Sequence, residues 1–154
     1  SFYYHFKDVY DLFAWSVQRE RALLLEDWEE CLTWQQTLLG LMNRIQGERA
    51  FYRAVLDHGG TEELGAMIPL EKTLEAVQAY YRDRGGVPPE PETEEQTRRR
   101  GRAMLLALLE SWIRDGLALT PEELVAALEG VVNRSTAGTV WQTLREQGNW
   151  SWTP

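Results

Sequence analysis

Glu26, Glu29 and Glu30 stand close together and are the first residues whose types and spacing invite a chemical reading. A carboxylate-held metal on helices needs a second acidic group facing the first, usually with a helical Glu-x-x-His pair. His5 and His58, the only two histidines, have no acid three positions before them. The single cysteine, Cys31, cannot form an internal disulfide, and with two histidines it leaves too few ligands for a thiolate or imidazole cage. Asp57-His58 places an acid beside a base, but no activated nucleophile or glycine-rich phosphate loop accompanies the pair. His58 reads instead as a cation at a helix end, and Cys31 as a buried thiol on an apolar face beside Leu32. The expectation is a protein that is not an enzyme and carries no metal and no cofactor.

Composition points the same way. The chain has 154 residues, 44% apolar and 26% charged, with a net charge of −8. That is an ordinary globular composition. Apolar runs stay well short of the ~20 residues that span a bilayer, and no basic start leads into an apolar signal core; the expected location is the cytoplasm. The charge is uneven. Residues 1–93 carry nine basic and sixteen acidic side chains, whereas residues 94–154 carry seven and eight, all seven being arginine. Acidic surface repels phosphate backbone, so any contact with nucleic acid is expected from the second part, and the first should face something else.

The elements that must position these residues read as helices. Phe2, Phe6, Val9, Phe13 and Val17 recur at steps of four, three, four and four, which gathers them on one helical face. A second helix is expected over about 26–46, its acids complementing the positive end of the dipole. A third follows to His58 and stops at Gly59-Gly60. Thr61 restarts a helix, and a longer one begins near Pro69 and runs to Arg84. GGVPPEPET, residues 85–93, reads as a linker because its glycines and prolines cannot continue a helix. Thr93 then caps a helix running to Asp115, with Met104, Leu105, Leu108, Leu109 and Trp112 as its apolar face. Thr120-Pro121-Glu122-Glu123 opens another, and Asn133 or Ser135 caps a last helix ending before Gly148. The fold class is all-α: an acidic helical bundle over 1–84, the linker 85–93, and a small tri-helical unit over 94–154.

The run from Thr120 to Trp150 resembles the winged-helix or helix-turn-helix domains of bacterial transcription regulators. Leu124 and Leu128 form the apolar pair of the first helix, Val132 closes the turn, and Ser135-Thr136 open the second helix. Ala137, Trp141 and Leu144 are its apolar positions, and Gly148 ends it. The turn between Leu128 and Val132 is about two residues longer than the usual pattern, and six residues follow Gly148, fewer than a wing hairpin takes. The resemblance implies that the exposed start of the last helix could enter a major groove. Arg134, Ser135, Thr136, Thr139, Gln142 and Arg145 would then read bases, with Arg98, Arg99, Arg100 and Arg102 neutralising phosphates.

Seven tryptophans exceed the needs of a small bundle, and tryptophan is the residue most enriched at binding hot spots. The leading expectation is a regulatory or adaptor protein acting by protein–protein contact, as a subunit of a larger assembly or as a homo-oligomer. Phe2, Phe6, Phe13, Trp15, Trp150 and Trp152 would be the contact residues. The alternative is a transcription regulator that reads DNA through the C-terminal unit and dimerises through the bundle.

Overall fold

The computed structural model describes residues 6–31, 33–83, 91–130 and 132. All regular structure among them is helical, in the order α1 (Val9–Trp28), α2 (Trp34–Gly47), α3 (Arg49–Met67), α4 (Glu71–Asp83), α5 (Pro91–Arg114) and α6 (residues 121–130). No described helix is long and apolar enough to cross a membrane.

Asp8 caps α1 by accepting a hydrogen bond from the Asp11 N–H at 2.8 Å. The expected helix over 26–46 is not present as one element: α1 runs to Trp28, and α2 starts afresh at Trp34. Glu26 and Asp27 therefore sit in the last turn of α1, where their charge opposes the dipole. Two features close that end: Cys31 donates its N–H to the Trp28 carbonyl at 3.2 Å, and the Lys72 ammonium bonds the same carbonyl. The restart is dictated by Thr33-Trp34-Gln35-Gln36. The Thr33 hydroxyl accepts from the Gln36 N–H and the Gln36 side chain accepts from the Thr33 N–H, each at 3.2 Å, in a full capping box. Cys31 consequently lies between helices, half-buried rather than buried, with Sγ 3.6 Å from the Asp27 carbonyl.

The predicted stop at Gly59-Gly60 appears as a kink within α3, where Gly60 has φ 66° and ψ −162°. A Cβ at Gly59 would lie 2.2 Å from the Glu63 Cβ, so the sharp bend needs glycine there. At the far end, α5 begins at Pro91, earlier than the expected cap at Thr93; proline suits a first helical position because its missing N–H has no intrahelical acceptor to lose. Residues 84–90 of the chain lie outside the described ones. α5 ends in a Schellman motif: Leu117 N–H reaches Trp112 O at 2.9 Å and Gly116 N–H reaches Ile113 O at 3.2 Å. Thr120 caps α6 as its sequence predicts, accepting from the Glu123 N–H.

α3 is the central element, lying against α1, α2 and α5, while α4 lies against α2 and α5. One buried cluster joins Leu24 and Trp28 of α1 to Leu38, Leu41, Met42 and Ile45 of α2 and to Tyr52, Val55 and Leu56 of α3. Leu106, Leu109, Trp112 and Ile113 of α5 and Leu124 and Val125 of α6 belong to the same cluster. The inward face of α5 is thus turned about one residue from the predicted one, and Met104 is 62% exposed. The turn follows from close approach: the Gly65 position of α3 faces Leu106, and the Gly101 position of α5 faces Leu74.

Candidate binding cleft

The inward stripe of α1 is Phe13, Val17, Glu20, Leu24 and Trp28, spaced four, three, four and four. Four of these are apolar and pack into or against the core; the fifth is a carboxylate, and Glu20 is only 5% exposed. A charge so placed must be paired and hydrogen-bonded. Arg44 of α2 supplies a two-pronged partner, Nε to Oε1 at 2.6 Å and Nη2 to Oε2 at 2.9 Å. The hydroxyl of Tyr52, a fully buried residue of α3, donates to Oε1 at 2.9 Å. Three helices therefore meet on one carboxylate. Burial alone would raise the Glu20 pKa, but the hydrogen bonds from Arg44 and Tyr52 and the charges of Arg44 and Arg19 hold it below the usual carboxylate range. Burial and the adjacent carboxylate push the Tyr52 phenol upward, and the hydrogen bond to Glu20 raises the Arg44 guanidinium further.

The pair forms one wall of an open cleft of about 260 Å³ between α1, α2 and α3, lined also by Trp15, Arg19, Glu48 and Phe51. Arg19 sits over the Trp15 ring, 5.4 Å from its centre, in the range of a cation–π contact. Glu48 lies 3.9 Å from Arg44 Nη2, too far for a hydrogen bond, and its side chain is half exposed. Nothing in this constellation supplies a nucleophile with an adjacent base. The cleft presents guanidinium and aromatic surface around a fixed ion pair. Among the described residues no three His, Cys, Asp or Glu side chains gather to hold a metal ion.

Of the predicted contact residues, Phe6 is partly buried and meets the Trp15 ring edge-on at 5.6 Å. Trp15 is 47% exposed. Phe13 is turned onto the bundle, its ring 6.2 Å from Phe51 and 5.5 Å from His58. His58 thus touches an aromatic edge two residues before the Gly60 kink. Val9 and Tyr10, which the sequence reading did not single out as contacts, are the most exposed apolar side chains of α1, at 69% and 79%. Phe2, Trp150 and Trp152 lie outside the described residues.

The candidate phosphate-neutralising arginines divide. Arg98, Arg99 and Arg100 are exposed on α5, and Arg99 pairs with Glu95 at 2.8 Å. Arg102 instead donates to the Gly65 carbonyl at 2.6 Å and lies 3.6 Å from the Glu71 carboxylate, tying α5 to α3 and α4. Other cations are engaged in the same manner. Arg21 reaches the Ala66 and Met67 carbonyls that end α3, and Arg49 and Arg53 reach the Gly116 and Arg114 carbonyls at the end of α5. These are terminal carbonyls without intrahelical donors, where positive charge also complements the dipole. Arg134, Ser135, Thr136, Thr139, Gln142 and Arg145 lie outside the described residues.

Glu20 is the site residue that apolar counting missed. Its signal was present: the apolar phase from Phe13 to Trp28 passes through position 20, and a carboxylate in that phase demands a buried cation. Comparison with protein families, with curated proteins and with solved structures finds no match to this chain.

Proposed function

We propose that this chain is a non-catalytic regulatory or adaptor protein that works by protein–protein contact as a subunit of a larger assembly. The observation that carries this reading is the N-terminal half of α1. It is a capped helix whose Val9, Tyr10 and Trp15 remain exposed, while its C-terminal half is seated on the bundle. Exposed aromatic residues grouped on one element, next to a cleft with polar groups on its rim, have the composition of an interface centre and rim. The engagement of Arg21, Arg49, Arg53 and Arg102 with backbone carbonyls uses these cations within the fold and adds support. A DNA-reading regulator is the second reading, favoured by one observation, the three consecutive exposed arginines Arg98, Arg99 and Arg100 on α5.

Site-specific photo-crosslinking tests the proposal. A photoreactive residue in place of Tyr10 should give discrete protein adducts in the cells that make the protein, and one in place of the exposed Glu75 should not. The purified chain should pass through heparin and random duplex DNA at low salt. Equal crosslinking from both positions, together with salt-sensitive retention on DNA lost in Arg98→Ala/Arg99→Ala/Arg100→Ala, would reverse the order of the two readings.

A further inference from the structure

The turn between α1 and α2 is made without a helix-breaking residue. It reads Glu29-Glu30-Cys31-Leu32-Thr33, with neither glycine nor proline, the two residues that ordinarily punctuate such a junction. Glu29, the C-cap of α1, still has helical φ −60° and ψ −29°. The inward stripe of α1 continues past Trp28 in the same phase, through Cys31, Gln35, Leu38, Met42 and Ile45 at steps of three, four, three, four and three. That is the period of one uninterrupted helix. Two helices folded back on each other have no need of a shared register. The charges also suit a continuous form. Glu26 and Asp27 stand in the last turn of α1, which holds no basic residue, and there they oppose the dipole; in a helix running on past residue 33 they would be interior, where that penalty fades. A few contacts hold the folded-back form. The Thr33–Gln36 capping box starts α2, and the Trp28 carbonyl accepts from the Cys31 N–H and the Lys72 ammonium. In a continuous helix that carbonyl would accept from the N–H four residues on, and Lys72 would be released.

We propose that the α1–α2 turn is a hinge through which two copies of this chain exchange α1. When the turn straightens, the stripe of α1 leaves its own α2 and α3. A second copy is the occupant that fits it, because its α2 and α3 carry the Arg44 and Tyr52 that satisfy Glu20 and the core positions that bury Leu24 and Trp28. Glu20 makes the seat selective: a carboxylate in the middle of an apolar stripe rejects a merely hydrophobic surface. Exchange re-forms these contacts between protomers, so the two forms differ mainly at their hinges, and two-fold symmetry closes the pair. The inference is independent of the contact reading of α1, and failure of either leaves the other standing.

Two measurements on the full chain test it. In the first, the chain is refolded from urea over a range of concentrations and its dimerisation constant is read by sedimentation equilibrium. Thr33→Ala weakens the folded-back form alone, so the constant should rise about fivefold per hinge and about 25-fold for the two hinges together. Lys72→Met should act in the same direction. Glu30→Gly, at an exposed position, penalises the continuous helix and should lower the constant about tenfold. In the second, Glu20→Arg and Arg44→Glu are made separately in the Thr33→Ala background, one of them labelled with ¹⁵N, and refolded together. Exchange of α1 in the mixed dimer restores an opposite-charge pair at both seats, whereas each homodimer holds a like-charge pair at both. Native mass spectrometry should then show the mixed dimer in excess of its statistical share. A Thr33→Ala chain that stays monomeric up to millimolar concentration, or whose constant matches that of the intact chain, overturns the hinge. Mixed dimers at or below the statistical share overturn the exchange of α1.

Discussion

Removing Arg44 should damage the molecule more than removing Glu20, although the two share one ion pair. Arg44→Met leaves the Glu20 carboxylate, 5% exposed, with only the Tyr52 hydroxyl as partner. Stranding one member of a fully buried pair costs roughly 3–5 kcal/mol. Here the Arg44 side chain is 32% exposed and borders the cleft, so water can reach the stranded acid and roughly 2–4 kcal/mol is the better figure. Glu20→Leu strands only the Tyr52 hydroxyl, at roughly 1–3 kcal/mol, because Arg44 can turn to solvent and Glu48. The new apolar side chain returns roughly 1–2 kcal/mol, for a net loss of about 0.5 kcal/mol. With a urea slope of roughly 2 kcal/mol/M, the midpoints should fall by about 1–2 M for Arg44→Met and by about 0.25 M for Glu20→Leu. The double variant should match Glu20→Leu.

The pH dependence sharpens the same test. Glu20 in the intact protein has a folded pKa below its unfolded value near 4.5, so its contribution is present above that value and is lost as pH falls through the folded pKa. In Arg44→Met the burial of Glu20 is opposed only by the Tyr52 hydrogen bond and the charge of Arg19, and its pKa rises. Stability should then increase on acidification from pH 7 to pH 5, a range over which the intact pair keeps nearly all of its contribution. Urea titrations followed by circular dichroism at both pH values suffice. Equal midpoint losses for the two single variants, or an unchanged pH slope in Arg44→Met, would refute the account of the pair.

Other outcomes follow from packing and caps. Gly65→Ala brings a Cβ to 2.9 Å from Leu106 Cδ1 and 3.3 Å from Arg102 Nη1, and should lower stability by roughly 1–3 kcal/mol in the same titration. Gly40→Ala meets nothing within 4 Å inside α2 and should raise stability by roughly 0.5–1 kcal/mol. Thr33→Ala removes one half of the capping box and should cost about 1 kcal/mol, read as the thermal midpoint. Tyr10→Ser should change stability by less than about 0.5 kcal/mol, since the side chain is 79% exposed, while abolishing partner adducts formed from a photoreactive residue at the neighbouring position Val9.

The parts legible in the sequence were those governed by local chemistry. Gly59-Gly60 marked the kink, Thr120-Pro121 the start of α6 and Gly116 the end of α5, because caps and left-handed turns are fixed by the residue that makes them. The boundary between α1 and α2 was equally local but was obscured. Four acids near residue 28 were read as favouring the start of a helix, although the same charges can crowd the end of the preceding one, and Thr33-x-x-Gln36 was the stronger signal. The face of α5 was misjudged by about one residue because Leu105, Leu106, Leu108 and Leu109 offer two adjacent apolar stripes. Only the close approach of Gly65 and Gly101 selects between them. No sequence pattern could announce that Arg102 would bond the Gly65 carbonyl, since that pairing joins positions brought together only by the finished packing.

The cleft and the carbonyl-bound cations share one physical origin. A helical chain with an excess of acid has many carbonyl ends and few positive charges with which to satisfy them. Lys72, Arg21, Arg49, Arg53 and Arg102 each reach a backbone carbonyl on another element, and Arg44 serves the buried Glu20. Arg19 is exposed and stacked on Trp15, and its side chain has no hydrogen-bond acceptor within the described residues. An arginine over a half-exposed tryptophan, beside the unburied end of α1, gives this acidic molecule one local attraction for anions, as the exposed Arg98, Arg99 and Arg100 give it another on α5. Net charge would repel a polyanion from the molecule as a whole. A single carboxylate on a shape-matched protein surface feels mainly the nearest charges, because separations beyond about 10 Å are screened at ordinary salt.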